Sequence, residues 1–580
     1  MNNKCRNKLN VPALIADTLA LLTGEISMDK PKPFIFNNYD DYIRENSASP
    51  ADIAAQRAEP LDPAPLISIG ILCCDEDQSK KLDATLLSLI GQTYSNWEAV
   101  IVLDFKQSGL ERFNNVENLR LIIADGDEAK LTKLMNKELN GAYIMRLMPG
   151  DSLTPDALYA MVQATYPVPG TEAVFSDSEG DFKPDYSMYT LTNYDSVGRP
   201  IMVSQSVFKT IGGFSGSTWE DCWLFNLKAC SVAKHTAHIA RVLLSTSVEN
   251  KGNVVTNRML ASIQEIFNGE RCKVKITRGK NTATTRLRAS GRYNQKASII
   301  IPNVDSYENI KRCIESIDMQ CSYRAYKIYI AICKKNIEYD EQTRRYLEAL
   351  KRDRIINLVD AFNADCMSEI INKCIRESLS EAMIFLNGSC ELLTPDFVEE
   401  LLGLAMLKDV GAVGGKIIDE QDCIQSAGTV VGIGGWADSP YRGTRDDESD
   451  SLKLSLTGVQ RCVTAVSSAF MAIEGEKLLS SGMFDETMTG VGFDTELCIR
   501  LMRKGFKNCF TPYAKAKLYG QLPGYEKASK QNLVRCYDAY RQTLLAGDKF
   551  YNPNFDWSTT TPQLAIKTFK PIELNPLYKK

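Results

Sequence analysis

One order of blocks occurs twice along this chain, and that repetition restricts the folds open to it more than any other feature. In the first occurrence Leu66-Ile-Ser-Ile-Gly-Ile-Leu72 is an apolar run of buried-strand length, followed by a helix pattern over Leu82–Ile90 and the turn Gln92-Thr-Tyr-Ser-Asn-Trp97. A second apolar strand, Ala99-Val-Ile-Val-Leu103, is closed by Asp104. Strand, helix and strand within about forty residues make a right-handed βαβ unit with a parallel sheet. The second occurrence runs Ala297-Ser-Ile-Ile-Ile-Pro302, a helix over Tyr307–Ile317, the turn Ser322-Tyr-Arg-Ala-Tyr326 and the strand Lys327-Ile-Tyr-Ile-Ala-Ile332. Met148-Pro-Gly-Asp-Ser-Leu-Thr-Pro-Asp156 pairs in the same way with Asn387-Gly-Ser-Cys-Glu-Leu-Leu-Thr-Pro-Asp396. A spacing of about 230–240 residues means two copies of one domain, since solenoid repeats are far shorter. Each copy opens as a doubly wound α/β fold, where ligands settle at the carboxyl ends of the strands.

At 580 residues the chain exceeds what one hydrophobic core serves, and its length suggests about three or four compact units. Residues 1–64 form a helical preface (Val11–Leu22, Tyr39–Glu45, Ala51–Ala58) that ends in Glu59-Pro-Leu-Asp-Pro-Ala-Pro65, a string whose prolines cannot continue a helix. The expected units are then 65–292, 293–525 and a closing helix with its tail over 526–580. That last stretch has a helix over Lys530–Leu545, then Tyr551-Asn-Pro-Asn554 and a Thr-rich basic tail expected to pack loosely.

Charge and cysteine usage exclude several classes. The net charge of −4 gives no basic surplus for nucleic acid. The 17 cysteines are spread through apolar runs without a Cys-x-x-Cys pair, and only His235 and His238 stand ready to complete a mixed zinc site. Buried free thiols in a reducing cytosol fit this pattern. No apolar run reaches the length of a membrane span, and Val11–Leu22 is broken by Pro12 and Asp17. A cytoplasmic location is expected. The basic stretch Lys273, Lys275, Arg278, Lys280, Arg286, Arg288 and Arg292 suits a solvated linker, or a peripheral contact with anionic lipid or a polyprenyl-diphosphate acceptor.

Pro65-Leu-Ile-Ser-Ile-Gly-Ile71, Gln92-Thr-Tyr-Ser-Asn-Trp-Glu98 and Ser152-Leu-Thr-Pro-Asp-Ala-Leu-Tyr159 resemble the opening blocks of family 2 glycosyltransferases. The second copy adds Val410-Gly-Ala-Val-Gly-Gly-Lys416, Ile424-Gln-Ser-Ala-Gly428, Val431-Gly-Ile-Gly-Gly435, Tyr441-Arg-Gly443 and Thr511-Pro-Tyr513. This set is similar to that of the tandem enzymes that build O-antigen, rhamnan and related surface polysaccharides. Ala54-Ala-Gln-Arg-Ala58 and Tyr551-Asn-Pro-Asn554 extend the resemblance over nearly the whole chain. It implies two tandem GT-A domains of α/β class, a nucleotide-sugar donor, and a glycan or lipid-linked glycan acceptor. A partner glycosyltransferase also fits. The family neutralises the departing diphosphate with Mg²⁺ or Mn²⁺ on an Asp-x-Asp pair and a later histidine, because hard cations prefer oxygen ligands.

Carried onto the first copy, the resemblance places Asp104, and more weakly Asp75, near the nucleotide. Met148-Pro-Gly-Asp151 keeps only Asp151 of the metal motif, with Asp177 and Glu179 downstream as further donor-side acids. Ser245 stands where the histidine is expected, and His238 is expected to be structural. Trp219-Glu-Asp221 opens a helix whose dipole favours acids, and nominates Asp221 as base with Glu220 behind it. In the second copy Cys333 replaces the strand-end aspartate, Asn387-Gly-Ser-Cys-Glu391 leaves Glu391 alone, and Leu518-Tyr519-Gly520 replaces the histidine. Phe493-Asp-Thr-Glu496 nominates Asp494 as base and Glu496 as support. Each of these acids also reads as an ordinary turn or helix-start carboxylate. Val431-Gly-Ile-Gly-Gly435 reads as a turn, and Arg442, Arg445 and Asp446–Asp450 as a solvated, mobile acceptor-side loop.

One carboxylate and water would hold a divalent ion weakly, so no metal ligand is assigned, and Mg²⁺ or Mn²⁺ has little support. Three readings stay open: transfer to a cell-surface polysaccharide with the first copy as the better candidate, a non-catalytic glycan-binding or scaffold module, and metal-independent transfer by cationic side chains.

Overall fold

The computed structural model describes residues 39–104, 113, 115–247, 253–268, 273–290, 296–333, 341–378, 380–447, 449–522, 524 and 528–565. The expected helix Val11–Leu22, Arg292 and the end of the basic tail lie outside the described residues. The preface forms the helices Tyr39–Asn46 and Pro50–Ala58, the second closed by a reciprocal cap between Ser49 and Asp52. Described residues up to 263, with 281–285, make one compact unit; 264–280 and those from 286 onward make the other.

In the first unit β1 (Ile67–Cys73), β2 (Trp97–Leu103), β3 (Leu119–Ile123), β4 (Tyr143–Leu147), β5 (Asp151–Leu153), β6 (Thr171–Ser178), β7 (Ile201–Ser204) and β8 (His235–Thr246) form one sheet. Its spatial order is β3-β2-β1-β4-β7-β6-β8-β5. β1 is buried along its whole length and pairs in parallel with β2 and β4. An unbroken apolar strand of this kind needs cover on both faces. On one face Leu82, Leu86 and Leu89 of the Glu76–Ile90 helix supply it, four and three residues apart as a helix stripe requires. Asp75 caps that helix by accepting the Gln78 amide at 2.7 Å.

A ribbon of β9 (Lys273–Arg278) and β10 (Thr285–Ser290) precedes the second large sheet. That sheet contains β11 (Ala297–Ile301), β12 (Tyr326–Ile332), β13 (Ile356–Asp360), β14 (Ala382–Leu386), β15 (Cys390–Leu392) and β16 (Val410–Ile418). The short β17 (Ile424–Ser426), β18 (Val430–Val431), β19 (Ala437–Asp438) and β20 (Arg461–Val463) follow, then β21 (Phe470–Glu474) and β22 (Lys507–Leu518). The order is β13-β12-β11-β14-β21-β16-β22-β15, with β17 and β20 attached at β16 and β22. Replacing each strand by its counterpart (β1 by β11 through β6 by β16, β7 by β21, β8 by β22) converts one order into the other. Directions match too: β4–β7 and β14–β21 are antiparallel, while β6–β8 and β16–β22 are parallel.

One expectation fails in the second unit, and one stretch packs more tightly than its sequence suggests. Between the Lys530–Ala546 helix and the Thr-rich tail the chain is fixed: Tyr551 is 2% and Trp557 7% exposed. The Trp557 ring lies against Gly432, whose φ of +114° suits glycine and where a Cβ would come within 2.7 Å of the ring. The segment around Asp446 is likewise fixed. Asp446 is held by Lys416 at 2.6 Å and Lys515 at 2.7 Å, and the two ammonium groups hold its carboxyl below the ordinary range against the opposing effect of burial. Part of the basic stretch is engaged as well, since Arg286 and Arg288 pair with Asp396 and Glu400.

Candidate active site

The carboxyl ends of β1, β2 and β4 bring together groups that the chain itself leaves unsatisfied. Asp104 follows β2, and its Oδ1 is buried without a hydrogen-bond partner among the described residues. Arg146, on β4, is 7% exposed; its Nη1 donates to the Gly216 carbonyl and its guanidinium lies 5.3 Å from the Phe214 ring centre. Its Nε and Nη2 are buried and unpartnered among the described residues. Burial pushes the Cys74 thiol, just past β1, up to about 11, and Asp104 and Arg146 both act on it electrostatically, with opposite signs. Each bare buried group costs about 1–3 kcal/mol, more where charged. Asp75 stands apart as an exposed helix cap.

Asp151 is fully buried and committed. Its Oδ2 accepts the Met148 amide at 2.8 Å, its Oδ1 accepts the Thr246 hydroxyl at 2.7 Å, and Arg199 Nη2 lies 3.3 Å from Oδ1. Asp177 is also committed, accepting from the Lys183 amide at 3.0 Å and meeting His238 Nε2 at 2.9 Å. Burial disfavours a charged imidazole there, but Asp177 and Asp185 outweigh it and hold His238 at about 9. His238 lies within β8 and stacks on Phe175. Glu179 is exposed and lines a cleft of about 420 Å³ with Lys81, Gly150, Ser245, Thr246 and Ser247.

The nominated bases differ between the repeats. Asp221 belongs to a capping box with Thr218 at the start of the Trp219–Val232 helix. Its Oδ2 accepts the Thr218 hydroxyl at 2.6 Å, and its Oδ1 accepts Arg258 Nη2 at 2.8 Å. Burial would raise its carboxyl, yet these donors hold it below the ordinary value. Glu220 is tied to the same arginine, accepting Nε at 2.7 Å, and to Thr256. Asp494, at the start of the Phe493–Arg503 helix, accepts the Ser468 amide at 3.0 Å and the Thr495 amide at 2.8 Å. Burial outweighs these bonds and pushes its carboxyl up. Glu496 faces its own helix and pairs with Arg500 at 2.5 Å. Glu391 accepts the Tyr519 hydroxyl at 2.6 Å, and Cys333 is a buried thiol at the strand end that matches Asp104.

The donor set does not fit a divalent cation. Among the described residues no three His, Cys, Asp or Glu side chains gather to hold one. Asp151 has its oxygens filled by an amide, a hydroxyl and a guanidinium, and Glu391 faces a phenol.

No family model matches the sequence. The chain is 25% identical over 610 aligned positions to the O-antigen biosynthesis protein RfbC of Myxococcus xanthus, covering 97% of this chain and 46% of that protein. It is 24% identical over 560 positions to the uncharacterized protein y4gI of Sinorhizobium fredii, covering 88% and 60%. The chain thus spans about half the length of the curated relatives it matches. The duplicated strand order, with matching strand directions, fixes the architecture. It is a tandem GT-A fold. Among solved structures, GalNAc-T7 with UDP, GalNAc and Mn²⁺ is similar at a TM-score of 0.35 and 14% identity, over 45% of this chain and 51% of that one. S. aureus TarS 1-349 with UDP-GlcNAc gives 0.29 and 14%, over 34% and 65%. The mannosyltransferase PcManGT of Pyrobaculum calidifontis, with GDP-Man and Mn²⁺, gives 0.27 and 13%, over 42% and 70%.

In this GT-A pair the sequence reading missed Lys81, Arg146, Arg199 and Arg258. Arg146 carried a usable signal, being a charged residue inside the otherwise apolar run Tyr143–Leu147. The other three carry no local pattern.

Proposed function

We propose that the chain transfers a sugar from a nucleoside-diphosphate sugar to the acceptor of a growing cell-surface polysaccharide, with the donor held in the first repeat. One observation supports it above the rest: Asp104 and Arg146 present bare buried polar atoms where β2 and β4 end. A nucleotide's base and ribose offer the donors and acceptors that would satisfy both, and a doubly wound sheet binds ligands at that edge. Asp221 is the base on this reading, and Glu179 faces the sugar hydroxyls. The likeness to an O-antigen biosynthesis protein supports a polysaccharide acceptor, within a larger protein or assembly. Incubating the protein with UDP- and GDP-sugars and a lipid-linked glycan, with and without EDTA, tests it. Sugar incorporation is expected, and its absence with every donor would leave the fold without this activity.

A second reading has its own support. Arg258 bridges Glu220 and Asp221, so both carboxylates are engaged by one guanidinium in this state. A non-catalytic module that binds glycan and scaffolds a partner enzyme would keep such a bridge permanently. Donor binding without turnover would favour it.

A further inference from the structure

The two repeats can be compared atom by atom at one place. Ser247 donates its amide to the Gly150 carbonyl at 3.1 Å, and Tyr519 donates its amide to the Ser389 carbonyl at 3.0 Å. Ser247 therefore corresponds to Tyr519, and Gly150 to Ser389. Asp75 and Ser306 cap the helices that follow β1 and β11, and Lys81 and Arg312 each stand six residues past their cap. Lys81 corresponds to Arg312.

In the first repeat these positions leave the cleft of about 420 Å³ open. Gly150 has a φ of +100°, and the Lys81 Cβ and Cδ lie 3.4 Å from where its side chain would begin. A Cβ at 150 would collide with the Ser247 Oγ, which closes this turn to an acid, and Lys81 is a cation lining the cleft beside it. Among the described residues no carboxylate lies within ion-pair distance of Lys81. Ser245, Thr246 and Ser247 line the cleft beside it, the Thr246 hydroxyl being the one that donates to Asp151. In the second repeat the same place is filled. The Tyr519 hydroxyl donates to Glu391 at 2.6 Å, and the Arg312 guanidinium carbon lies 3.7 Å from the centre of the Tyr519 ring. Arg312 also donates to Asn309 at 3.0 Å, which in turn donates to Ser389 at 3.1 Å. Cation, ring and carboxylate satisfy one another with no ligand between them.

We propose that the first repeat binds the diphosphate of its donor on Lys81 without a divalent cation, while Tyr519 and Arg312 close the corresponding cleft of the second. The chain then carries one donor site, not two. This rests on the donor reading above and adds to it the site's location, its charge partner and its number.

Calorimetric titration of the full chain with UDP and with GDP in excess EDTA is the test. One site per chain is expected for the nucleotide that binds. Lys81→Ala is expected to weaken it at least tenfold, and Lys81→Arg to keep most of the affinity. Ser247→Tyr, which builds the second repeat's plug into the first, is expected to remove binding while the circular dichroism spectrum is retained. Two equivalent sites in the parent chain, binding that appears only with added Mg²⁺ or Mn²⁺, or undiminished binding by Lys81→Ala would each overturn the proposal and leave the donor reading standing. Failure of every nucleoside diphosphate to bind, with or without metal, would remove both.

Discussion

His238 Nε2 stands 2.9 Å from Asp177 Oδ1 inside the first repeat, and its Nδ1 stands 3.1 Å from Asp185. The imidazole is therefore charged where a free one would be neutral, with its titration moved from 6.5 up to about 9. A folded value above the unfolded one means the pair's stabilisation is fully present below about pH 6.5 and is lost as pH rises through about 9. Urea unfolding of the full chain is expected to show the first repeat's midpoint falling between pH 6.5 and 9.5. His238→Gln is expected to flatten that dependence and to cost on the order of 3 kcal/mol, because the buried Asp177 loses the positive charge beside it.

Gly432 and Trp557 make a second stability prediction. Gly432→Ala adds a Cβ within 2.7 Å of the indole and forces a left-handed φ on a residue that disfavours it. Trp557→Ala deletes a buried ring and costs about 3–5 kcal/mol. Both variants are expected to lower the second repeat's thermal midpoint. The double variant should cost less than the sum, since alanine at 557 makes room for the new methyl. Additive losses would place the two residues out of contact.

The large-scale plan was legible because buried parallel strands are continuous apolar runs, and two sets of them cannot share one core. β1, β2, β11 and β12 could be placed from composition alone. The tight packing before the Thr-rich tail was not legible for a physical reason: Tyr551 packs on Phe555 and Trp557, and what the Trp557 ring lies against is the distant turn at Gly432. Within the site, Asp104 and Asp221 could be named because each sits at the end of an element whose period can be read. Their partners could not. Arg258 lies 37 residues from Asp221, and Tyr519 lies 128 from Glu391, so only the fold brings them together.

Asp104 and Arg146 carry the donor reading, and their removal should be felt in binding before turnover. Asp104→Asn keeps shape and loses charge, and Arg146→Met keeps the stem and loses both bare donors. Each is expected to weaken nucleotide binding by about 1–3 kcal/mol, the cost of leaving a buried partner bare in the complex. Asp104→Asn should leave the unliganded fold intact, while Arg146→Met also loses the Nη1 bond to the Gly216 carbonyl and should cost about 1 kcal/mol. Tight binding by both variants would place the nucleotide elsewhere.

Arg258 decides whether Asp221 is a base or a helix cap. The arginine is 56% exposed on its side chain, so its ion pairs contribute at most about 1 kcal/mol to the fold and it is free to swing away. Removing it by Arg258→Ala takes one of the two strongest opposing influences off Asp221, and burial then lifts that carboxyl. If Asp221 takes the acceptor's proton, the acid limb of the kcat/KM profile should move to higher pH, with Arg258→Lys close to the parent. Asp221→Asn should lower kcat by about a hundredfold or more while nucleotide affinity holds. A cap alone predicts the opposite pattern: no movement of the limb, and an Asp221→Asn loss that shows in the melting temperature instead of in kcat.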